Sequence, residues 1–198
     1  TASLLSGQYD YGFVVNGVGG NTPNSGTMNE RNKIDFSNDT VNASFKEQKV
    51  ISSNNDTLGS TGFASPGYHY TLYGSNYYLP NNPHAEKISF ATDTLQVCEH
   101  VNRSTSNGTF AAGVSNDTHG YVIGGGTGPT DTVKKLDFSN DLFSAITTLP
   151  ASIAVAKSGA SSAGNADYAW VGGGKLAPGS SNAISETGSA TVERIDYS

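Results

Sequence analysis

Charge is scarce in this 198-residue chain. Only 14% of residues are Asp, Glu, Lys or Arg, and 11 basic side chains against 17 acidic ones leave a formal net charge of −6. The basic residues form no run, so the Lys/Arg stripe of a nucleic-acid surface is missing, as is a field that would steer phosphate. No nucleic-acid partner is expected. Cysteine occurs once, which excludes an internal disulfide framework. Cys98, between Val97 and Glu99, reads as a buried strand thiol; His100 is the one basic neighbour that would favour a reactive role. No stretch approaches the ~18 apolar residues of a membrane span, so no membrane insertion is expected. No signal peptide is visible either. The chain opens TASLLSGQYD rather than with Met, as after processing or as a segment of something longer.

What is present points to one class. There are 24 glycines, and Ser, Thr and Asn are plentiful. Such residues supply turn geometries, whereas helices favour Ala, Leu, Glu, Lys and Arg. Ten Tyr and eight Phe provide aromatic mass for a core, which argues against wholesale disorder. The chain reads as all-β, in short strands joined by many turns.

A phrase recurs four times. Its first apolar burst is GFVVNG at 12–17, HYTLYG at 69–74, GYVIGG at 120–125 and AWVGGG at 169–174. The second is NKIDFSND at 32–39, EKISFATD at 86–93, KKLDFSND at 134–141 and ERIDYS at 193–198. The markers Ile34, Ile88, Leu136 and Ile195 are spaced by 54, 48 and 59 residues. A period of about 50 indicates one supersecondary unit repeated. In the third copy, strands are expected at 120–124, 132–138, 143–148 and 157–163, forming one four-stranded unit. The first is nearly continuous apolar, as for a strand covered on both faces. The second alternates, with a slip at Lys134-Lys135. Four-stranded units of this length stack radially into a β-propeller.

The run YVIGGGTGPTDTVKKLDFSNDLFSAITTLPASIAVAKSGAS resembles a kelch repeat. Gly124-Gly125 match that family's glycine pair, Leu136-Asp137 its aliphatic-Asp step, and Phe143 the place where kelch repeats usually carry Trp. The second copy departs, with Tyr73-Gly74 and Ser89 at the first two positions. KIDFSNDT at 33–40, KLDFSND at 135–141 and ERIDYS at 193–198 are similar, nearly residue for residue, to the kelch-like repeats in virion proteins of tailed phages, especially marine ones. The resemblance implies a kelch-like β-propeller with about four blades in this chain, whole or as part of a larger one. Residues 1–198 would form a single propeller domain or fragment with units at approximately 11–66, 67–118, 119–167 and 168–198. Residues 1–10 would complete a preceding or the last blade. Structural repeat residues would be Gly124, Gly125, Asp35, Asp137 and Asp196.

Candidate chemistry is sparse. Gly124–Gly126 and Gly172–Gly174 precede polar gaps and a further strand, not the helix N-terminus that a phosphate cradle needs, so their reading is structural. His69, His84, His100 and His119 lack zinc spacing. Asp39, Asp93 and Asp141 recur in phase, as a turn requirement predicts and as calcium would not by itself demand. No metal or cofactor is expected. Sequons at Asn38, Asn42, Asn55, Asn102, Asn107 and Asn116 arise incidentally in so Asn- and Ser-rich a chain. The suggestive stretch is YGSNYYLPNNPHAEK at 73–87. There Tyr73, Tyr77, Tyr78 and His84 offer rigid aromatics beside Asn in an inter-strand loop, able to stack on sugars or anchor a protein. Loops at 16–31 and 174–190 would line the same rim.

Because propellers host many activities, function follows from the resemblance. It implies a non-enzymatic phage virion protein: a tail fibre, appendage or capsid decoration. Its partners would be other virion proteins and a host-surface glycan or receptor, within an oligomer or larger assembly. The alternatives are a propeller-based enzyme acting on polysaccharide through an axial site, and a cellular kelch adaptor.

Overall fold

The computed structural model describes residues 11–15, 31–45, 61–72, 85–98, 110–125, 129–139, 142–144, 153–176 and 188–197. These residues contain fourteen strands and no helix. Sheet 1 comprises β1 (Tyr11–Val15), β2 (Arg31–Asp35) and β3 (Thr40–Phe45). Sheet 2 comprises β4 (Thr61–Ala64), β5 (Tyr68–Leu72), β6 (Ala85–Ser89) and β7 (Leu95–Cys98). Sheet 3 comprises β8 (Ala112–Ser115), β9 (His119–Ile123), β10 (Val133–Asp137) and β11 (Leu142–Ser144). Sheet 4 comprises β12 (Ser161–Gly164), β13 (Tyr168–Gly172) and β14 (Val192–Asp196). Every pairing is antiparallel between strands consecutive in the chain.

Local chemistry explains the meander. Strands β5, β9 and β13 are rich in aromatic and β-branched residues (YHYTL, HGYVI, YAWVG), which suit a pleated surface. Each is preceded by a tight turn headed by a polar side chain. Asn116 Oδ1 accepts from the backbone N–H groups of Thr118 and His119 at 3.0 and 2.8 Å, and Asn165 Oδ1 does the same for Asp167 and Tyr168 at 2.9 and 2.8 Å. Ser65 Oγ accepts from Tyr68 N at 3.1 Å. These are side-chain mimics of a backbone turn.

One expectation is corrected here. The small-residue strand placed last in the third unit, Ser161–Gly164, pairs with β13 and so opens sheet 4. Likewise β4 opens sheet 2 and β8 opens sheet 3. The reason is the turn: two residues at Ala166-Asp167 let β12 fold straight back onto β13, whereas β11 and β12 are joined by a long excursion. Each sheet is therefore offset by one strand from the repeat units read along the chain.

The sheets pack face to face in chain order, with β1 against β5, β4 against β8 and β8 against β12. Between sheets 2 and 3 lie Phe63, Tyr70, Leu72, Ala111, Val122 and Leu136. Between sheets 3 and 4 lie Val114, Tyr121, Ile123, Val133, Val171 and Ile195, with smaller side chains. β9 is thus buried on both faces, Val122 toward sheet 2, Tyr121 and Ile123 toward sheet 4. The apparent slip at Lys134-Lys135 also resolves: Val133 and Leu136 serve opposite interfaces. Each large apolar side chain taken out of water contributes about 1.5–3 kcal/mol, against about 1 kcal/mol for a turn hydrogen bond. The sheet faces, not the turns, hold the array together.

Candidate functional site

The register of the hairpins divides every sheet into two ends. Val15 pairs with Arg31, Leu72 with Ala85, Ile123 with Val133 and Gly172 with Val192. The connections 16–30, 73–84, 124–132 and 173–191 therefore all leave from corresponding strand ends, here termed the connection end. The tight turns lie at the opposite, turn end. The candidate residues Tyr73, Tyr77, Tyr78 and His84 sit on the connection 73–84, outside the described residues, so only its anchoring strand ends can be placed. Gly126, Asp141, His100 and residues 1–10 also lie outside them.

The described part of the connection end lies between sheets 3 and 4. Gly124 and Gly125 have φ of 66° and 91°, a left-handed backbone that glycine adopts without steric cost. This turn aims Gly124 N at Thr132 O and Gly125 N at Lys157 O, both 2.8 Å. Lys157 N returns a bond to Thr130 O at 3.0 Å, and Ser158 exchanges two backbone bonds with Lys175 at 3.1 and 2.7 Å. The segment 153–160 is thereby stitched to both neighbouring sheets.

Lys157 itself is fully buried (0% exposed). Its Nζ lies 2.8 Å from Glu193 Oε1 and donates to Thr191 O at 3.2 Å. Glu193 Oε2 accepts from Ala154 N at 2.5 Å. A buried ammonium is costly unless paired and hydrogen-bonded, and here it is both. This network escaped the sequence reading, although a lone cation inside the apolar stretch ASIAVAKSGA was its visible trace.

At the turn end, Asp35 Oδ1 accepts from Ser37 Oγ at 2.6 Å and from Ser37 N at 2.9 Å, and Asp137 Oδ1 accepts from Ser139 Oγ and N at 2.7 and 2.8 Å. These bonds, the side-chain one foremost, hold both carboxyls below their ordinary range. Asp39 and Asp93 adopt φ of 55° and 56° in equivalent turns, a region that Asp tolerates better than most residues. Arg194 Nε lies 3.1 Å from Asp196 Oδ1 with both side chains half-exposed, an ion pair of small energetic weight.

A second repeated feature also went unread. The residue before each marker is basic: Lys33, Lys87, Lys135 and Arg194. Three of these cations sit over a tyrosine on the neighbouring strand, Lys33 over Tyr11 at 4.1 Å, Lys87 over Tyr68 at 4.7 Å and Arg194 over Tyr168 at 4.6 Å. The signal was present in NKID, EKIS, KKLD and ERID.

Titratable side chains otherwise serve packing. His69 is buried. Burial, then Lys135, lowers the pKa of His119, whose Nδ1 lies 2.8 Å from Thr118 Oγ1 within its own turn. Burial pushes the phenol of Tyr197 well above its usual range, which keeps it protonated against Tyr121. Among the described residues no group of three or more His, Cys, Asp or Glu could hold a metal ion, and no helix is long and apolar enough to cross a membrane. The arrangement is one of rigid sheets carrying connections at one end.

Neither a protein-family model nor a curated protein matches the chain.

Proposed function

We propose that this chain is a kelch-like β-propeller domain, or part of a larger one, in the virion of a tailed phage. It acts without catalysis, as a tail-fibre, appendage or capsid-decoration component. Its connection end meets a host-surface glycan or receptor, or another virion protein. The observation that carries the reading is the packing of four in-phase antiparallel sheets in chain order, with the opening strands β4, β8 and β12 of sheets 2, 3 and 4 side by side, as radial stacking of blades requires. The Asp-Phe-Ser-Asn-Asp turn common to the first and third units supports the phage resemblance. The aromatics of 73–84 supply the contact chemistry, since Tyr gives rigid amphipathic area at low entropic cost.

The test has two parts. An antibody raised against the chain should label purified particles, and its failure to do so removes the virion assignment. The purified chain should bind host cells, envelope glycans or virion proteins, and a chain with residues 73–84 replaced by a Gly/Ser linker should not. Binding unchanged by that replacement moves the contact elsewhere, and depolymerisation of a polysaccharide by the chain would overturn the non-enzymatic role.

A further inference from the structure

The repeat makes it possible to name equivalent residues on every sheet. The third position of β5, β9 and β13 holds Tyr70, Tyr121 and Trp170. Two residues after the markers Ile34, Ile88, Leu136 and Ile195 stand Phe36, Phe90, Phe138 and Tyr197. These two sets meet between sheets 2 and 3 and between sheets 3 and 4. Tyr70 of sheet 2 stacks on Phe138 of sheet 3, with ring centroids 5.1 Å apart and planes 14° from parallel. Tyr121 of sheet 3 stacks on Tyr197 of sheet 4 at 4.6 Å and 14°. A charge contact also crosses between sheets. Lys33, on the residue before the marker of sheet 1, reaches Asp93 in the turn of sheet 2 at 2.6 Å.

At the two flanks of the array the same positions lack a following or preceding sheet among the described residues. Trp170, equivalent to the buried Tyr70 and Tyr121, is 38% exposed. Arg194, equivalent to Lys33, is half-exposed beside it, as its backbone partner across the β13–β14 pair. On the far side of sheet 1, Phe36, equivalent to Phe138 and Tyr197, is 41% exposed. Asp39, equivalent to Asp93 and held in the same left-handed turn, is exposed as well. Val192 and Val41 add apolar surface to the two flanks. One flank therefore carries the outgoing half of the repeated interface and the other carries the incoming half. Among the described residues both halves are open, so they do not cover each other.

We propose that the free face of sheet 4 in one copy seats on the free face of sheet 1 in a second copy, Trp170 stacking on Phe36 and Arg194 pairing with Asp39. The contact is head to tail, and such heterologous contacts close into a ring or run on as a filament according to the rotation they impose. The proposal stands on the sheet-to-sheet contacts and is independent of the virion reading. Exposed aromatic surface rimmed by charge is the form that association sites take, and the partner here is chosen because the chain itself carries the matching half.

The experiment is sedimentation velocity of the full chain over a concentration series, read together with the fluorescence of Trp170, the sole tryptophan. Association is expected, with emission shifting to the blue as Trp170 leaves water. Trp170→Ser and Phe36→Ser should each weaken it by about tenfold or more, as truncation of a central aromatic anchor does. Circular dichroism should show both variants folded. Because each retains one intact face, a mixture of the two should give a one-to-one dimer that grows no further. Arg194→Asp and Asp39→Arg should each weaken association, and the chain carrying both should recover it. A chain that stays monomeric throughout, association indifferent to these variants, or a monomer whose Trp170 is already shielded from a soluble quencher would each overturn the proposal.

Discussion

Tyr121 and Trp170 hold the same place in successive sheets, yet one is 1% exposed and the other 38%. Their strands have the same length, the same preceding turn and the same partner register. What differs is outside the strand: sheet 4 lies over Tyr121, and among the described residues no sheet lies over Trp170. In this array a residue's energetic role is set by the next sheet along, and identical local structure carries different weight in the middle and at the flanks.

The largest expected effect tests that contrast directly. Tyr121→Ala removes a ring packed among Val114, Ile195 and Tyr197 and should cost about 3–5 kcal/mol, the range for truncating a buried aromatic. Trp170→Ala, assayed in dilute solution, should cost under about 1 kcal/mol, because a surface change far from core packing does little. Urea titration of both variants decides it; equal losses would mean that Trp170 is covered in solution.

A smaller effect concerns two equivalent glycines. A side chain on Gly120 would run into the ring of Phe63, which belongs to sheet 2 and is completely buried. One on Gly12 would meet Cζ of Phe36 at 2.6 Å, the far end of an exposed side chain that can swing away. Gly120→Ala should therefore lose about 1–3 kcal/mol, as overpacking does. Gly12→Ala should be close to neutral, since alanine also costs less chain entropy than glycine in a strand. Thermal melts of the pair suffice, and a tolerated Gly120→Ala would show that sheets 2 and 3 pack more loosely than the ring contact implies.

Much of this was legible in the chain. The apolar bursts mark β5, β9 and β13, and at β9, which sheets cover on both faces, the strand is apolar nearly throughout for that reason. The aliphatic marker finds the fourth position of β2, β6, β10 and β14. The offset of the sheets was not legible. Ser161–Gly164 is too small and polar to announce a strand, and only its two-residue turn into β13 assigns it. The Lys157–Glu193 pair was hidden for another reason: its partners are far apart in sequence, so no local period brings them together. The candidate aromatics at 73–84 were singled out by composition, and the described residues place only the strand ends that hold them.

The smallest effect should ignore the middle-versus-flank contrast altogether. Asp35 of sheet 1 and Asp137 of sheet 3 make the same two bonds to the serine two residues on, and both carboxyls are held below their ordinary pKa chiefly by that serine's hydroxyl and then by its backbone N–H. A folded pKa depressed below the unfolded one adds stability that is present above the unfolded value, about 4, and is lost as pH falls through the lower folded value. Both turns should thus weaken together on acidification below about pH 4. Asparagine can accept the same two bonds without titrating, so Asp35→Asn and Asp137→Asn should each flatten the acid limb of the melting-temperature curve by a similar small amount. If the loss from Asp137 greatly exceeded that from Asp35, the turn would be coupled to the sheet packing, and the separation between local chemistry and neighbour-dependent burial would fail at this point.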